Sequence, residues 1–109
     1  MAWLVRGDRV LASCEIAERF GARTKGLLGR DGCEGAILLT PARGVHTFGM
    51  RFAVDVAFCD ADMVVIDTVS MHRNRMGRPR LHARHVIEAE AGSFARWGLE
   101  VGDELEIRR

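Results

Sequence analysis

The residues whose types and spacing could do chemistry sit together in Gly44-Val45-His46-Thr47-Phe48-Gly49-Met50-Arg51-Phe52-Ala53-Val54-Asp55. This stretch sets an imidazole, a hydroxyl, a guanidinium and a carboxylate among large apolar side chains. An imidazole with a nearby carboxylate suits general acid–base work. The same groups, walled by Met50 and Phe52, suit a pocket that orients a polar ligand. If His46 to Phe52 is extended, alternation puts His46, Phe48, Met50 and Phe52 on one face, and a bend at Gly49 breaks that parity. A purely structural use is open to the same residues. His46 and Thr47 would then bond to nearby backbone and Asp55 would pair with an arginine, because buried polar groups need partners whether or not they act.

Other chemistry is sparser. Cys14, Cys33 and Cys59 are widely spaced, odd in number and form no Cys-x-x-Cys pair, which fits reduced thiols rather than a zinc knuckle or thioredoxin-like site. Cys33 lies close in sequence to Arg30, a neighbour able to lower a thiol pKa. Ser13, Ser70 and Ser93 stand in no nucleophile-elbow pattern. His46, His72, His82, His85 and Glu88 are ligand types for a metal, but His82 and His85 fall on opposite faces of a strand and no His-x-His pair occurs. No metal site and no cofactor are expected. From Thr68 to Ile87 there is no acidic residue, while Arg73, Arg75, Arg78, Arg80 and Arg84 are all basic. That loop could collect phosphate or another anion, or be simply solvated, and it lacks the interleaved aromatics of a base-stacking surface.

The elements that must position these groups read as short strands. The chain has 109 residues, 48% hydrophobic and 28% charged, so one domain over residues 1–109 with a real core is expected. A net charge of +1 gives no global pull toward nucleic acid or anionic membrane. The apolar run at the start ends at Val5 and no apolar stretch approaches the roughly 20 residues needed to span a bilayer, so the expectation is a cytoplasmic protein without a membrane partner. Trp3–Val5 and Val10–Ala17 flank a Gly7-Asp8 turn, with Val10, Ala12, Cys14 and Ile16 sharing one parity. A short helix follows to about Leu28. Ala36–Thr40 reads as a buried strand, and Val54–Phe58 pairs across Asp60-Ala61-Asp62 with Met63–Val69. Ser70–Arg84 is irregular, interrupted by Gly77 and Pro79. Val86–Ala91 is a strand, Gly92–Trp97 a helical turn placing Phe94 and Trp97 on the core, and Leu105 and Ile107 face inward on a closing strand. Many short strands with frequent glycine turns predict a mostly β domain, a small antiparallel sandwich or barrel of jelly-roll type with one or two short helices.

Several blocks, taken in order, resemble a prokaryotic family known as domain of unknown function 192. Val45-His46-Thr47, Met50-Arg51-Phe52, Val54-Asp55-Val56 and Phe58 resemble its central motif. Arg23-Thr24-Lys25-Gly26-Leu27-Leu28-Gly29-Arg30 resembles its Arg, Gly-Leu-Met, Arg block, and Gly35-Ala36-Ile37-Leu38-Leu39 the strand after it. Val86-Ile87-Glu88-Ala89-Glu90-Ala91-Gly92 and Gly102-Asp103 resemble its closing blocks. Leu28 stands where Met is usual and Ala53 where Pro is usual. The resemblance spans about residues 10 to 108 and implies a compact β fold of sandwich or barrel type, with no activity attached. It also implies His46, Thr47, Arg51, Asp55, Glu88 and Arg30 as polar groups in that scaffold. The parity of His85, Ile87 and Ala89 sets Glu88 on the opposite face with Val86 and Glu90. There it is either a solvated carboxylate or one paired with Arg30 or His46 at a cleft.

The candidate ligand-binding residues are therefore His46, Thr47, Met50, Arg51, Asp55, Glu88 and Arg30, with no catalytic residue assigned. The leading expectation is a cleft near His46 and Asp55 that binds a small molecule or polymer segment. The alternatives are a hydrolase-like or metal-assisted enzyme using His46 with Asp55 or Glu88, and an anion-binding interaction module acting through the Arg73–Arg84 loop.

Overall fold

In a computed structural model describing residues 1–109, the elements are β1 (Ala2–Arg6), β2 (Arg9–Ala17), α1 (Phe20–Lys25), β3 (Ala36–Leu39), β4 (Val54–Cys59), β5 (Val65–Met71), β6 (His85–Glu90), α2 (Ser93–Trp97) and β7 (Glu106–Arg108). The seven strands form one sheet in the order β5-β4-β6-β3-β2-β1-β7. The fold is mostly β with two short helices, as the strand pattern predicts. The sheet is mixed rather than wholly antiparallel, because β2 and β3 run parallel. Between them α1 and the glycine-rich loop after it return the chain to the end of the sheet where β2 began its pairing, and a parallel neighbour requires such a crossover.

Local sequence explains most boundaries. Gly7 takes φ +60° in the turn between β1 and β2, where a side chain would be strained. A register shift in this hairpin pairs Leu4 with Ala12 and Val5 with Val10, leaving Leu11 as an extra residue. The bulge ends the expected parity, so Ala12, Cys14 and Ile16 follow one face while Val10 is exposed. The Asp60 carboxylate accepts the N–H groups of Asp62 and Val64 at 2.9 and 3.0 Å and fixes the β4–β5 turn. Strand β5 runs to Met71, past the expected end. Helix α1 stops at Lys25, short of Leu28, because Gly26 (φ +47°, ψ −121°) leaves the helical region while its N–H closes on Ala22 O at 2.9 Å.

The sheet has two apolar faces. One gathers Leu4, Cys14, Leu38, Ala57, Cys59, Ile87 and Phe94 with Val65 and Leu105. The other gathers Ile37, Leu39, Val54, Val56, Phe58 and Val86 with Leu27, Met50 and Ala83 from outside the strands. An antiparallel bridge between Val64 and Glu104, with the Val65 N–H donating to Asp103 O at 2.9 Å, draws the two ends of the sheet toward each other. The first face, which takes residues from both ends, is the one this curl encloses. The opposite face is directed outward and is covered by the loop after α1 through Leu27, the 40–53 loop through Met50, and Ala83.

Candidate functional site

Strand β6 lies between β3 and β4, so residue 88 has strand neighbours on both sides, Ile37 and Val56. Alternation puts Glu88 on the outward face with Val86, as its parity predicts. There it is not solvated: it is only 4% exposed. No protein group hydrogen-bonds its carboxyl, and burial pushes its pKa up to about 7. The residue above it is Gly26. A Cβ at position 26 would lie 2.9 Å from Glu88 Oε1, so the helix end can approach the carboxyl this closely only without a side chain.

The second wall is the 40–53 loop. Thr47 is fully buried and clamps this loop to the segment after β5. Its hydroxyl donates to His72 O at 2.7 Å and accepts the Arg75 N–H at 2.7 Å. Its own N–H donates to Arg75 O at 2.7 Å. The chain then turns at Gly49 (φ +81°), with the Met50 N–H bonded to Thr47 O at 3.1 Å. The segment is thus bent, not extended, and the expected single face is divided: Met50 turns inward while Phe48 is half-exposed and stacks on the His46 ring at 5.7 Å. Backbone partners satisfy Thr47, as the structural use predicts, but His46 Nδ1 is buried with no partner.

Between these walls lies a cavity of about 350 Å³. Leu27, Leu39, Val45 and Met50 supply apolar surface, and Arg23, Lys25, His46 and Glu88 are its ionisable groups. Its size and lining fall within the range of small-ligand sites. His46 and Glu88 border the same space without a direct hydrogen bond, so a molecule held between them could contact both.

The remaining candidates lie elsewhere. Asp55 projects from the other face of β4, where Oδ2 accepts the N–H groups of Gly92 and Phe94 at 2.9 and 3.1 Å. It pairs with no arginine. Its carboxylate caps α2 from outside, because Gly92 at the helix start has no side chain to do so. Arg30 forms a two-pronged ion pair with Glu15 at 2.9 and 2.8 Å, and is therefore not the partner of Glu88. Arg51 pairs with Asp31 at 2.8 Å on the exposed surface. The Cys33 thiol is pushed up by burial, which outweighs the opposing pull of Arg30. No three His, Cys, Asp or Glu side chains converge as a metal centre requires. In the arginine-rich loop, Arg80 bonds Asp67 at 2.8 Å and lies 4.1 Å over the Phe58 ring. Of the cleft's ionisable groups, Arg23 and Lys25 were not among the candidates, nor was Gly26. Their sequence signal is the Arg23–Arg30 block.

Comparison with known proteins matches this architecture at the level of family and fold. Solved proteins share the fold: one of unknown function from Novosphingobium aromaticivorans has a TM-score of 0.79 at 20% identity over 96% of this chain and 82% of its own. Another, from Sinorhizobium meliloti and described as a candidate transcription regulator, has a TM-score of 0.77 at 21% identity over 96% and 90% of the two chains. At such identities the likeness concerns fold alone. A UPF0127 protein of Pyrococcus abyssi is 31% identical, covering 84% of this chain and 83% of that protein. A UPF0127 protein of Pyrococcus furiosus is 28% identical over 97% and 96%. The profile of the DUF192 family, described as "Uncharacterized ACR", matches residues 3–107, and the chain belongs to that family.

Proposed function

We propose that the cleft between α1 and the 40–53 loop binds a small molecule or the end of a polymer segment, with Glu88 as its polar anchor. The observation that carries this reading is the Glu88 carboxyl, 4% exposed, without a protein partner and bordering a cavity. Leaving a buried polar group unpaired costs free energy, and a folded protein retains such a group most readily where a ligand completes it. His46 borders the same cavity, with its Nδ1 sealed inside the protein and unbonded. Asp55, committed to α2, is not part of this site.

Amide chemical shifts of the labelled protein, followed while simple sugars, amino acids and aliphatic acids, amines and alcohols are added, test the reading. Perturbations should cluster at residues 23–28 and 45–50. Shifts confined to residues 73–84 would move recognition to the arginine-rich loop, and the absence of any shift would overturn the cleft as a site.

A second reading has one observation in its favour. A carboxyl with a pKa of about 7 is well matched to proton transfer near neutral pH. Glu88 would act as acid or base on a molecule that also contacts His46. Hydrolysis of a substrate panel, abolished in Glu88→Gln and rising or falling around pH 7, would establish it.

A further inference from the structure

We propose that the ligand of this cleft is a small organic anion with an apolar body, taken up together with one proton held on Glu88. This inference rests on the binding reading above and adds the ligand's charge and the protonation state of its anchor.

The charges around the cavity favour it. Every ionisable group bordering the space other than Glu88 is basic: Arg23 and Lys25 from α1, and His46 from the 40–53 loop. The immediate neighbours of Glu88 are uncharged: Ile37 and Val56 on the flanking strands and Gly26 at the helix end above it. On its own strand Glu90 follows on the same face but is exposed. From the loop before β3, the Cys33 thiol is held neutral by burial. Arg23, whose guanidinium also donates to Pro41 O at 3.1 Å across the cleft, and Lys25 repel a cationic ligand and attract an anion.

An anion cannot share a confined cavity with a carboxylate at low cost, since two like charges in close contact force one of them to take up a proton. Glu88 is already prepared for this. Burial raises its pKa to about 7, with no opposing pull from a charged neighbour. The neutral carboxyl keeps an O–H, which donates a hydrogen bond to an oxygen of the ligand anion. The proton on Glu88 comes from solvent, no covalent bond is made or broken, and the ligand keeps its negative charge near Arg23, Lys25 and His46. The apolar body lies along Leu27, Leu39, Val45 and Met50.

A matched set of probes tests this directly: hexanoate, hexylamine and hexanol, titrated into the intact protein between pH 6 and pH 8. The expected result is binding of hexanoate, with amide shifts at residues 23–28 and 45–50. Its affinity should fall about tenfold across that range as Glu88 ionises. Calorimetry in two buffers of different ionisation heat should show uptake of about one proton per hexanoate at pH 8, a readout that needs no variant. In Glu88→Gln, hexanoate binding should persist and its pH dependence should flatten. Binding of hexylamine in place of hexanoate would overturn the proposal while leaving the cleft a ligand site. So would hexanoate binding without proton uptake, or a pH dependence that survives Glu88→Gln and disappears in His46→Gln. Absence of binding by all three probes would overturn both the proposal and the cleft reading.

Discussion

A carboxyl placed between two hydrogen-bonded strands under a glycine makes the stability of this protein depend on pH in an unusual direction. Most carboxylates gain partners on folding and stabilise the native state above their pKa. Glu88 loses water and gains none, so its folded pKa of about 7 lies above the value of roughly 4.3 for a free glutamate. Below about pH 4 both states largely carry the proton and Glu88 costs little. As pH rises from about 4.5 to about 7 the unfolded chain ionises first, stability falls, and above that range the loss is constant at about 3 kcal/mol. Glu88→Gln removes this dependence. Urea unfolding should find the variant close to the wild type at pH 4 and more stable by roughly 2–3 kcal/mol at pH 8. Superimposable pH profiles would show that Glu88 is solvated in the native state. The face of Glu88 was legible from the alternation of His85, Ile87 and Ala89. Its burial was not, because alternation tells which residues share a side and says nothing of what covers that side. The partners of Asp55 are illegible for a related reason: they are backbone N–H groups of a helix start 37 residues downstream, which carry no sequence signature.

At the scale of elements, the end of α1 and the middle of β6 form one unit. Gly26 combines a backbone conformation closed to other residues with an approach to Glu88 that excludes a methyl group. Gly26→Ala should cost about 2 kcal/mol or more, part from backbone strain and part from the carboxyl it displaces. In a Glu88→Ala background only the strain remains, so the cost of Gly26→Ala should shrink there. Chemical denaturation of the four proteins of this cycle measures the coupling, and strictly additive costs would show that the two residues do not touch. The family block containing Gly26 was visible in the sequence as a block. What it builds was not, since a glycine that ends a helix and a glycine that admits a neighbouring group look identical along the chain. The bend at Gly49 was recognised as an alternative to an extended segment. The clamp that enforces it, Thr47 on His72 and Arg75, depends on a contact across about 28 residues.

For the whole molecule, short alternating segments and glycine turns gave a mostly β fold, and the mixed direction of the sheet escaped because the length of a connection does not state on which side it returns. Strands β4, β6 and β3 occupy the middle of the sheet and are buried along almost their whole lengths, while β7 is a three-residue edge. Amides of Val56, Phe58, Ile87 and Ala89 should therefore exchange hydrogen only through global unfolding, and those of β7 and α1 through local opening. Native-state exchange against low urea distinguishes the two, and a β7 as protected as β4 would mean that the edges are joined far more firmly than by the bridge at Val64 and Glu104.

The curl of the sheet has a consequence of another kind. None of the residues bordering the cleft belongs to the apolar layer enclosed by the curl; Leu27, Leu39 and Met50 all belong to the outer one. Fold and cleft are thereby assigned to opposite sides of one wall. Changes to α1 or the 40–53 loop reshape the border of the cleft while the inner layer is left as it was. The border of the cleft can then vary across a lineage without renegotiating the architecture that carries it.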